Sequence, residues 1–190
     1  MDLVIDRSVL TFEECHNGAW TQALDLNGVD RIIVGTGPGS FAGIRSAIAF
    51  ATGYALGRAG APRTPQVLGL TSAAALAHPT EPRAVVGDAR QGKFWVALFD
   101  GYNLICPIFQ VNETDSEKGP GLQSRIPLSV KVISPDDARI GGKLKEIFAE
   151  RYLGLGVVTT AALHAAALAN PKLLSEEPRP IYLNPAVRED

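Results

Sequence analysis

The chain is 190 residues long, with 46% apolar and 20% charged content and a formal net charge of −2; a chain of that size buries roughly 70% of its unfolded surface and needs no metal or disulfide staple, and so balanced a charge leaves phosphate contacts with RNA to a partner. Two cysteines, Cys15 and Cys106, do not make a secreted disulfide framework, and the opening Met1-Asp2-Leu3-Val4-Ile5-Asp6-Arg7 lacks the basic and apolar regions of a signal peptide. The charge-free stretch from Tyr152 to Pro171 is too interrupted to span a membrane, so the expected setting is cytoplasmic, with no membrane contact.

Leu3-Val4-Ile5 reads as a short strand and Arg31-Ile32-Ile33-Val34 as a better one, β-branched and ended by Gly35. The glycine loop Gly35-Thr36-Gly37-Pro38-Gly39 follows. Ser40 is then a natural N-cap for a helix running to about Leu56, where Gly57, Gly60 and Pro62 stop it. Gln66 to Leu70 is the next strand, and Thr71 or Ser72 caps an alanine-rich helix that ends before Pro79. The cluster Pro79-Thr80-Glu81-Pro82-Arg83 fits neither a helix nor a sheet interior and marks the expected domain boundary. It separates a first lobe, residues 1–82, from a second, residues 83–190, whose C-terminal tail is free to fold back onto the first.

Beyond that boundary, Ala84-Val85-Val86 and Phe94 to Phe99 read as strands joined by a turn at Ala89 to Gly92, with Leu104 to Val111 a third antiparallel strand. Asn112 to Ser124 is polar and bears Gly and Pro, an exposed loop. Helices are expected over Lys143 to Tyr152 and from Thr159 or Thr160 to Ala169, before a proline-punctuated tail carrying Pro180-Ile181-Tyr182-Leu183. Strand–helix alternation followed by a meander predicts an α/β or α+β chain in two lobes.

The segment Val34 to Arg45 stands above background: a strand, a glycine-rich turn, then a helix N-terminus. Outward-pointing amides and the helix dipole suit an anion, which makes Gly37, Gly39, Ser40 and Phe41 a possible phosphate loop. Neither G-x-x-x-x-G-K-[ST] nor G-x-G-x-x-G is present, however, and the glycines and Pro38 equally suit a tight turn that brings helix to sheet. In the helix, Gly43, Ala47, Ala51 and Ala55 recur every four residues, with Gly53 and Gly57 on a neighbouring stripe. Residues four apart share a face, so this face admits close approach of another element. Packing on its own sheet and pairing with another subunit both remain open.

Catalytic groups are sparse. His16, His78 and His164 are scattered and none has a metal-ligand spacing, so no metal site is expected. Cys15-His16 is adjacent rather than triad-like, and no G-x-S-x-G elbow exists. Gly87-Asp88-Ala89-Arg90-Gln91-Gly92-Lys93 is the richest polar cluster; Asp88 and Arg90 are able to orient a ligand, but Asp, Arg, Gln and Gly are also what a hairpin tip needs, and the turn is the favoured reading. Nothing assembles a nucleophile, a base and an orienter, and the chain reads as non-catalytic.

Gly37-Pro38-Gly39-Ser40-Phe41-Ala42-Gly43-Ile44-Arg45 resembles the G-P-G-S-F-T-G-[LIV]-R signature of the TsaB (YeaZ) family, the dimerisation subunit of the bacterial machinery that makes N6-threonylcarbamoyladenosine (t6A) in tRNA. Three further stretches agree in order. Gly69-Leu70-Thr71-Ser72 is similar to the family's G-[VI]-S-[TS], Asp88-Ala89-Arg90-Gln91-Gly92-Lys93-Phe94-Trp95 to its D-A-R-x-G-E-V-Y, and Pro180-Ile181-Tyr182-Leu183 to its terminal P-x-Y-L-R. Ala42 stands where the signature has Thr, Asn184 where the terminal motif has Arg, and Ile5-Asp6-Arg7-Ser8 replaces the opening I-D-T-S in a shortened N-terminus.

The resemblance implies an α/β actin-like ATPase (ASKHA, ribonuclease H-like) two-lobe fold with an abbreviated first lobe. It implies a non-catalytic partner of the TsaD-type transferase, with a TsaE-type ATPase joining the pair and tRNA reached only indirectly. The partner interface would lie on the helix after Ser40, at Phe41, Gly43, Ile44, Ala47, Ile48, Ala51 and Ala55, and the same face would form a homodimer when the chain is alone. Arg45, Asp88 and Arg90 are possible polar contacts, and no cofactor is required, ATP being a weak possibility. A nucleotide-binding ASKHA-type enzyme and an M22 glycoprotease-like metallopeptidase are the rival readings.

Overall fold

The structure, a computed structural model, describes residues 3–5, 29–60, 64–115 and 119–183. Expectations placed on Cys15, His16, Asp6-Arg7-Ser8, Pro62 and Asn184 lie outside the described residues. The chain divides into two compact units, one within Met1–Ala75 and Thr159–Ile181, the other within Leu76–Val158 and Tyr182–Asp190. The division thus falls at Ala75/Leu76 rather than at 82/83, and residues 159–181 belong to the first unit instead of to an 83–190 lobe. The physical cause lies in the return of the chain. A late helix packs on the first strand, and Ser175 exchanges two backbone hydrogen bonds with Gly69, at 2.8 and 2.9 Å.

The first unit holds strands β1 (Leu3–Ile5), β2 (Arg31–Gly35) and β3 (Gln66–Leu70) in the order β1-β2-β3. β1 runs antiparallel to β2, and β2 pairs in parallel with β3 from Arg31↔Gln66 to Gly35↔Leu70. Helix α1 (Phe41–Gly57) makes the crossover that parallel pairing demands. Alternation along β2 sends Ile32 and Val34 to one face, where they meet Ala47 and Ala51 of α1 in a buried cluster with Val29. The expected alanine-rich helix after Thr71 is only a 3-10 turn, Ser72–Leu76. Its would-be capping hydroxyls, Thr71 Oγ1 and Ser72 Oγ, bond to Gly37 instead.

The second unit is a six-stranded sheet: β4 (Arg83–Arg90), β5 (Lys93–Asp100), β6 (Asn103–Leu104), β7 (Phe109–Asn112), β8 (Lys131–Ser134) and β9 (Tyr152–Leu155). The order is β6-β5-β4-β8-β9, with β7 also on β5. β4 and β5 form the expected hairpin; Gln91 and Gly92 both take positive φ, as a two-residue loop matching strand twist requires. Gly87 faces Trp95, and a Cβ at that position would fall inside the indole ring. The single strand expected over Leu104–Val111 is broken into β6 and β7, Pro107 lying between them without an N–H to give the ladder.

The expected loop over Asn112–Ser124 contains the start of a one-turn helix, α2 (Leu122–Arg125), whose Leu122 is fully buried. Helix α3 spans Asp137–Phe148 rather than 143–152, and the residues after it turn into β9. Both β8 and β9 escape sequence reading: each is four residues long, and β9 contains Gly154 at φ +89°. The core sets Val86, Phe94, Val96 and Val132 of the sheet against Ile140, Leu144 and Phe148 of α3. The last helix, α4 (Thr160–Ala169), lies where expected and contacts β1 in the first unit, with Thr159 Oγ1 accepting from the Ala162 N–H at 3.1 Å.

Candidate functional site

Three of the four sequence motifs meet at two consecutive peptide groups, those of Thr36 and Gly37. The Thr36 N–H donates to the Leu70 carbonyl at 2.8 Å, and its carbonyl accepts from the Ile181 N–H at 2.9 Å. The Gly37 N–H donates to Ser72 Oγ at 3.2 Å, while its carbonyl accepts from Thr71 Oγ1 at 2.7 Å and from the Ser72 N–H at 2.9 Å. G-P-G-S-F, G-L-T-S and P-I-Y-L therefore converge by hydrogen bonding, although they lie far apart in sequence. Only glycine fits at 37. Its φ is +96°, and a Cβ would stand 2.7 Å from Ile44 Cδ1.

From this clamp the chain passes through Pro38 and Gly39 into α1. Ser40 is the N-cap: its Oγ accepts from the Gly43 N–H at 3.3 Å, and its carbonyl accepts from the Ile44 N–H at 2.9 Å. The Gly37 amide points into the clamp and not outward, which removes it from the phosphate-loop set; Gly39, Ser40 and Phe41 remain at the helix N-terminus. The first turn of α1 carries no acidic residue.

The faces of α1 correct the interface expected from sequence. Ala47 is 2% exposed and Ala51 not at all, both lying against the unit's own strands, with Ile48 half-buried on the same cluster. Ile44 reaches Gly37, and Gly43 and Ala55 sit at the margins. The four-residue stripe through Ala47 and Ala51 is thus the helix-to-sheet contact, where small side chains let α1 approach the β-branched strand. Of the expected interface residues, Phe41 is the one on the exposed side, 49% accessible. That outward face consists of Phe41, Ala42, Arg45, Ser46, Ala49, Thr52, Gly53, Leu56 and Gly57, with Leu56 69% exposed. The Arg45 guanidinium lies 5.1 Å from the Phe41 ring centroid, so it is engaged by its own helix.

The face missed by sequence reading left one signal, Gly53. Interior glycine costs a helix about 0.5–1 kcal/mol relative to alanine, and a Cβ at Gly53 would meet nothing within 4 Å. No contact within the described residues requires glycine there.

In the second unit, Asp88 and Arg90 turn toward each other. Asp88 Oδ2 lies 3.3 Å from Arg90 NH1 and 3.7 Å from Arg139 NH1, and Asp88 Oδ1 accepts from the Arg90 N–H at 2.8 Å. The Asp88 N–H donates to Asp136 Oδ2 at 2.9 Å, and the Asp136 N–H to Ser134 Oγ at 3.0 Å. Arg90 adopts φ +68° at a register shift in the β4–β5 pairing, a bulge that folds its side chain back onto Asp88. The cluster ties the hairpin tip to the start of α3. Nearby, Tyr152 donates to Asp137 Oδ1 at 2.5 Å, and burial, followed by the adjoining carboxylate, pushes its phenol well above the ordinary range.

Among the described residues no group of three His, Cys, Asp or Glu side chains could hold a metal ion. His78 Nδ1 accepts from the Thr80 N–H within its own turn, and His164 lies apart on α4. Among those residues, too, no helix is long and apolar enough to cross a membrane.

No known family model matches the sequence, and no curated protein does. Solved structures do match. YeaZ from Pseudomonas aeruginosa superposes with a TM-score of 0.57 at 21% identity, over 82% of this chain and 74% of that one. A second, an uncharacterised protein with similarity to the peptidase YeaZ from Pseudomonas aeruginosa, gives 0.53 at 19% identity over the same shares. The chain has the actin-like ASKHA α/β fold of YeaZ, the family that its glycine-loop and tail motifs resemble.

Proposed function

We propose that this protein is a non-catalytic TsaB-type subunit acting in the cytoplasm. It pairs through the outward face of α1 with a TsaD-type transferase in the synthesis of t6A in tRNA, a TsaE-type ATPase joins that pair, and tRNA is contacted by the partners. Without them the same face pairs with a second copy. The supporting observation is the outward face itself: Phe41 and Leu56 exposed, Ala42, Ala49 and Gly53 between them, and Arg45 its sole charge. A helix face of that composition gains by being covered, because apolar area leaves water and small residues let backbones approach.

Ala47 and Ala51 are not part of this interface, since they are already covered from within. The informative substitution is Gly53→Leu. It meets open space and replaces a poor helix former, so the chain stays folded. Co-purification with a TsaD-type partner, followed by mass determination, is expected to give a defined complex for the native chain and none for Gly53→Leu. An unchanged complex would sink the assignment of the face. Calorimetry with ATP and Mg²⁺ separates the rival: heat that disappears when Ser40 is altered would favour a nucleotide-binding enzyme using the α1 N-terminus.

A further inference from the structure

We propose that the C-terminal segment Ser175–Ile181 is a releasable strap that fastens the glycine loop and, through it, sets the first turn of α1. Among the described residues β3 is an edge strand of its sheet, and the strap is what covers that edge: Gly69 and Ser175 exchange N–H···O bonds of 2.8 and 2.9 Å as an isolated antiparallel bridge. An exposed edge is a liability that proteins manage by covering it. Six residues later the Ile181 N–H donates to the Thr36 carbonyl at 2.9 Å, in the same peptide group as the Gly37 N–H. Between these two anchors Pro178 lies against Gly69 so closely that a Cβ there would stand 2.9 Å from Pro178 Cα and from Thr36 Cγ2. The chain of contact then runs from Ile181 through Thr36 and Gly37 to Ile44, whose Cδ1 rests on Gly37 inside the first turn of α1.

The strap is releasable because so little holds it. Glu176, Glu177 and Arg179 are exposed and, among the described residues, engage only the segment itself: Ser175 Oγ with the Glu177 N–H and carbonyl, and Arg179 with the Glu177 carboxylate at 2.5 Å. Among the described residues the attachment rests on three backbone hydrogen bonds and half-buried prolines, the pattern of a segment that opens without global unfolding. The motif Pro180-Ile181-Tyr182-Leu183, unexplained by a pairing face, thereby acquires a role: Pro180 and Ile181 bring the strap's last donor to the loop. This coupling does not depend on which partner, if any, covers α1.

Amide hydrogen exchange on the full chain tests it. Ile181→Pro removes the donor to Thr36, and Gly69→Ala presses on both Pro178 and Thr36. In both, the Ser175, Gly37, Gly43 and Ile44 amides are expected to exchange about tenfold faster, with β4 and β5 unchanged. Ile181→Val, which keeps the N–H and the branched side chain, is expected to match the native rates. Faster exchange at Ser175 with no change at Gly37, Gly43 and Ile44 would overturn the coupling. Acceleration through both units together would show global unfolding instead of a strap, and would overturn it equally.

Discussion

The β2–α1–β3 and β8–α3–β9 segments are the same backbone device built twice: two parallel strands joined by a helix that covers their sheet. Even the strand order matches, β1-β2-β3 beside β4-β8-β9, although β1 runs antiparallel to β2 where β4 runs parallel to β8. The inner faces do the same work, Ala47 and Ala51 in one helix, Ile140, Leu144 and Phe148 in the other. The outer faces differ. α3 shows Ala138, Arg139, Gly142, Lys143, Lys145 and Glu146 to solvent, while α1 shows Phe41, Ala42, Arg45, Ser46, Ala49, Thr52, Gly53, Leu56 and Gly57. Fold alone does not set a helix's outer surface: most of the exposed residues of α3 are charged, whereas Arg45 is the one charge among those of α1.

The inner faces offer the largest effects. Leu144→Ala, at a fully buried position of α3, is expected to lose about 2–5 kcal/mol by removing apolar contacts and leaving a cavity. Ala51→Leu in α1 errs the other way. It overfills a site with no exposed surface and is expected to lose about 1–3 kcal/mol. Urea unfolding measures both. Retained stability in Ala51→Leu would mean that α1 does not lie on its own strands as described, and would restore Ala51 to the candidate interface.

The outer faces sharpen the comparison with smaller changes. Gly142 on α3 is as open as Gly53 on α1, with nothing within 4 Å of an added Cβ, so an open glycine alone does not mark an interface. Changing either to Ala is expected to stabilise the fold by about 0.5–1 kcal/mol through helix propensity. Changing either to Leu should leave the fold intact, but only Gly53→Leu should abolish pairing, since Gly142 sits among charged neighbours. If Gly142→Leu abolishes pairing as well, the charge pattern is not the discriminator and the face assignment fails with it.

Much of this was legible locally. Ser40 as a cap, β2, α1 and β3 as separate elements, and the β4–β5 hairpin all follow from residues within a few positions of one another. What escaped was set by distant partners. Thr71 and Ser72 look like helix caps until Gly37, 34 and 35 residues earlier, takes their hydroxyls and leaves a 3-10 turn. The small-residue stripe of α1 was visible, but its direction was not, because alanine serves equally against a strand or against a second helix. β8 and β9 are too short to show a period, and exist because β4 supplies a parallel neighbour to β8 and β8 to β9.

The anchoring chemistry of the two units also differs, which predicts an order of loss in acid. The loop before α1 is held by Ser40, Thr71 and Ser72, hydroxyls that do not titrate. In the second unit the turn into α2 hangs on Asp115, whose Oδ1 accepts from the Gly121 N–H at 2.5 Å and from Ser124 Oγ at 2.9 Å, and Glu81 pairs with Lys131. The Gly121 N–H, then Ser124, holds the Asp115 carboxyl below its ordinary 3.8; the bond to Lys131, then its charge, holds Glu81 below 4.5. A carboxyl depressed on folding adds stability above its unfolded value and gives it up as pH falls through the folded one. Lowering the pH from neutrality through that range is therefore expected to reduce protection, the exchange rate relative to the intrinsic rate at each pH, first at the Gly121 and Leu122 amides, while Gly37 and Gly43 keep theirs. Asp115→Asn should abolish most of that pH dependence at Gly121. Loss at Gly37 before Gly121 would mean that the glycine loop depends on a titrating group and not on its hydroxyl clamp.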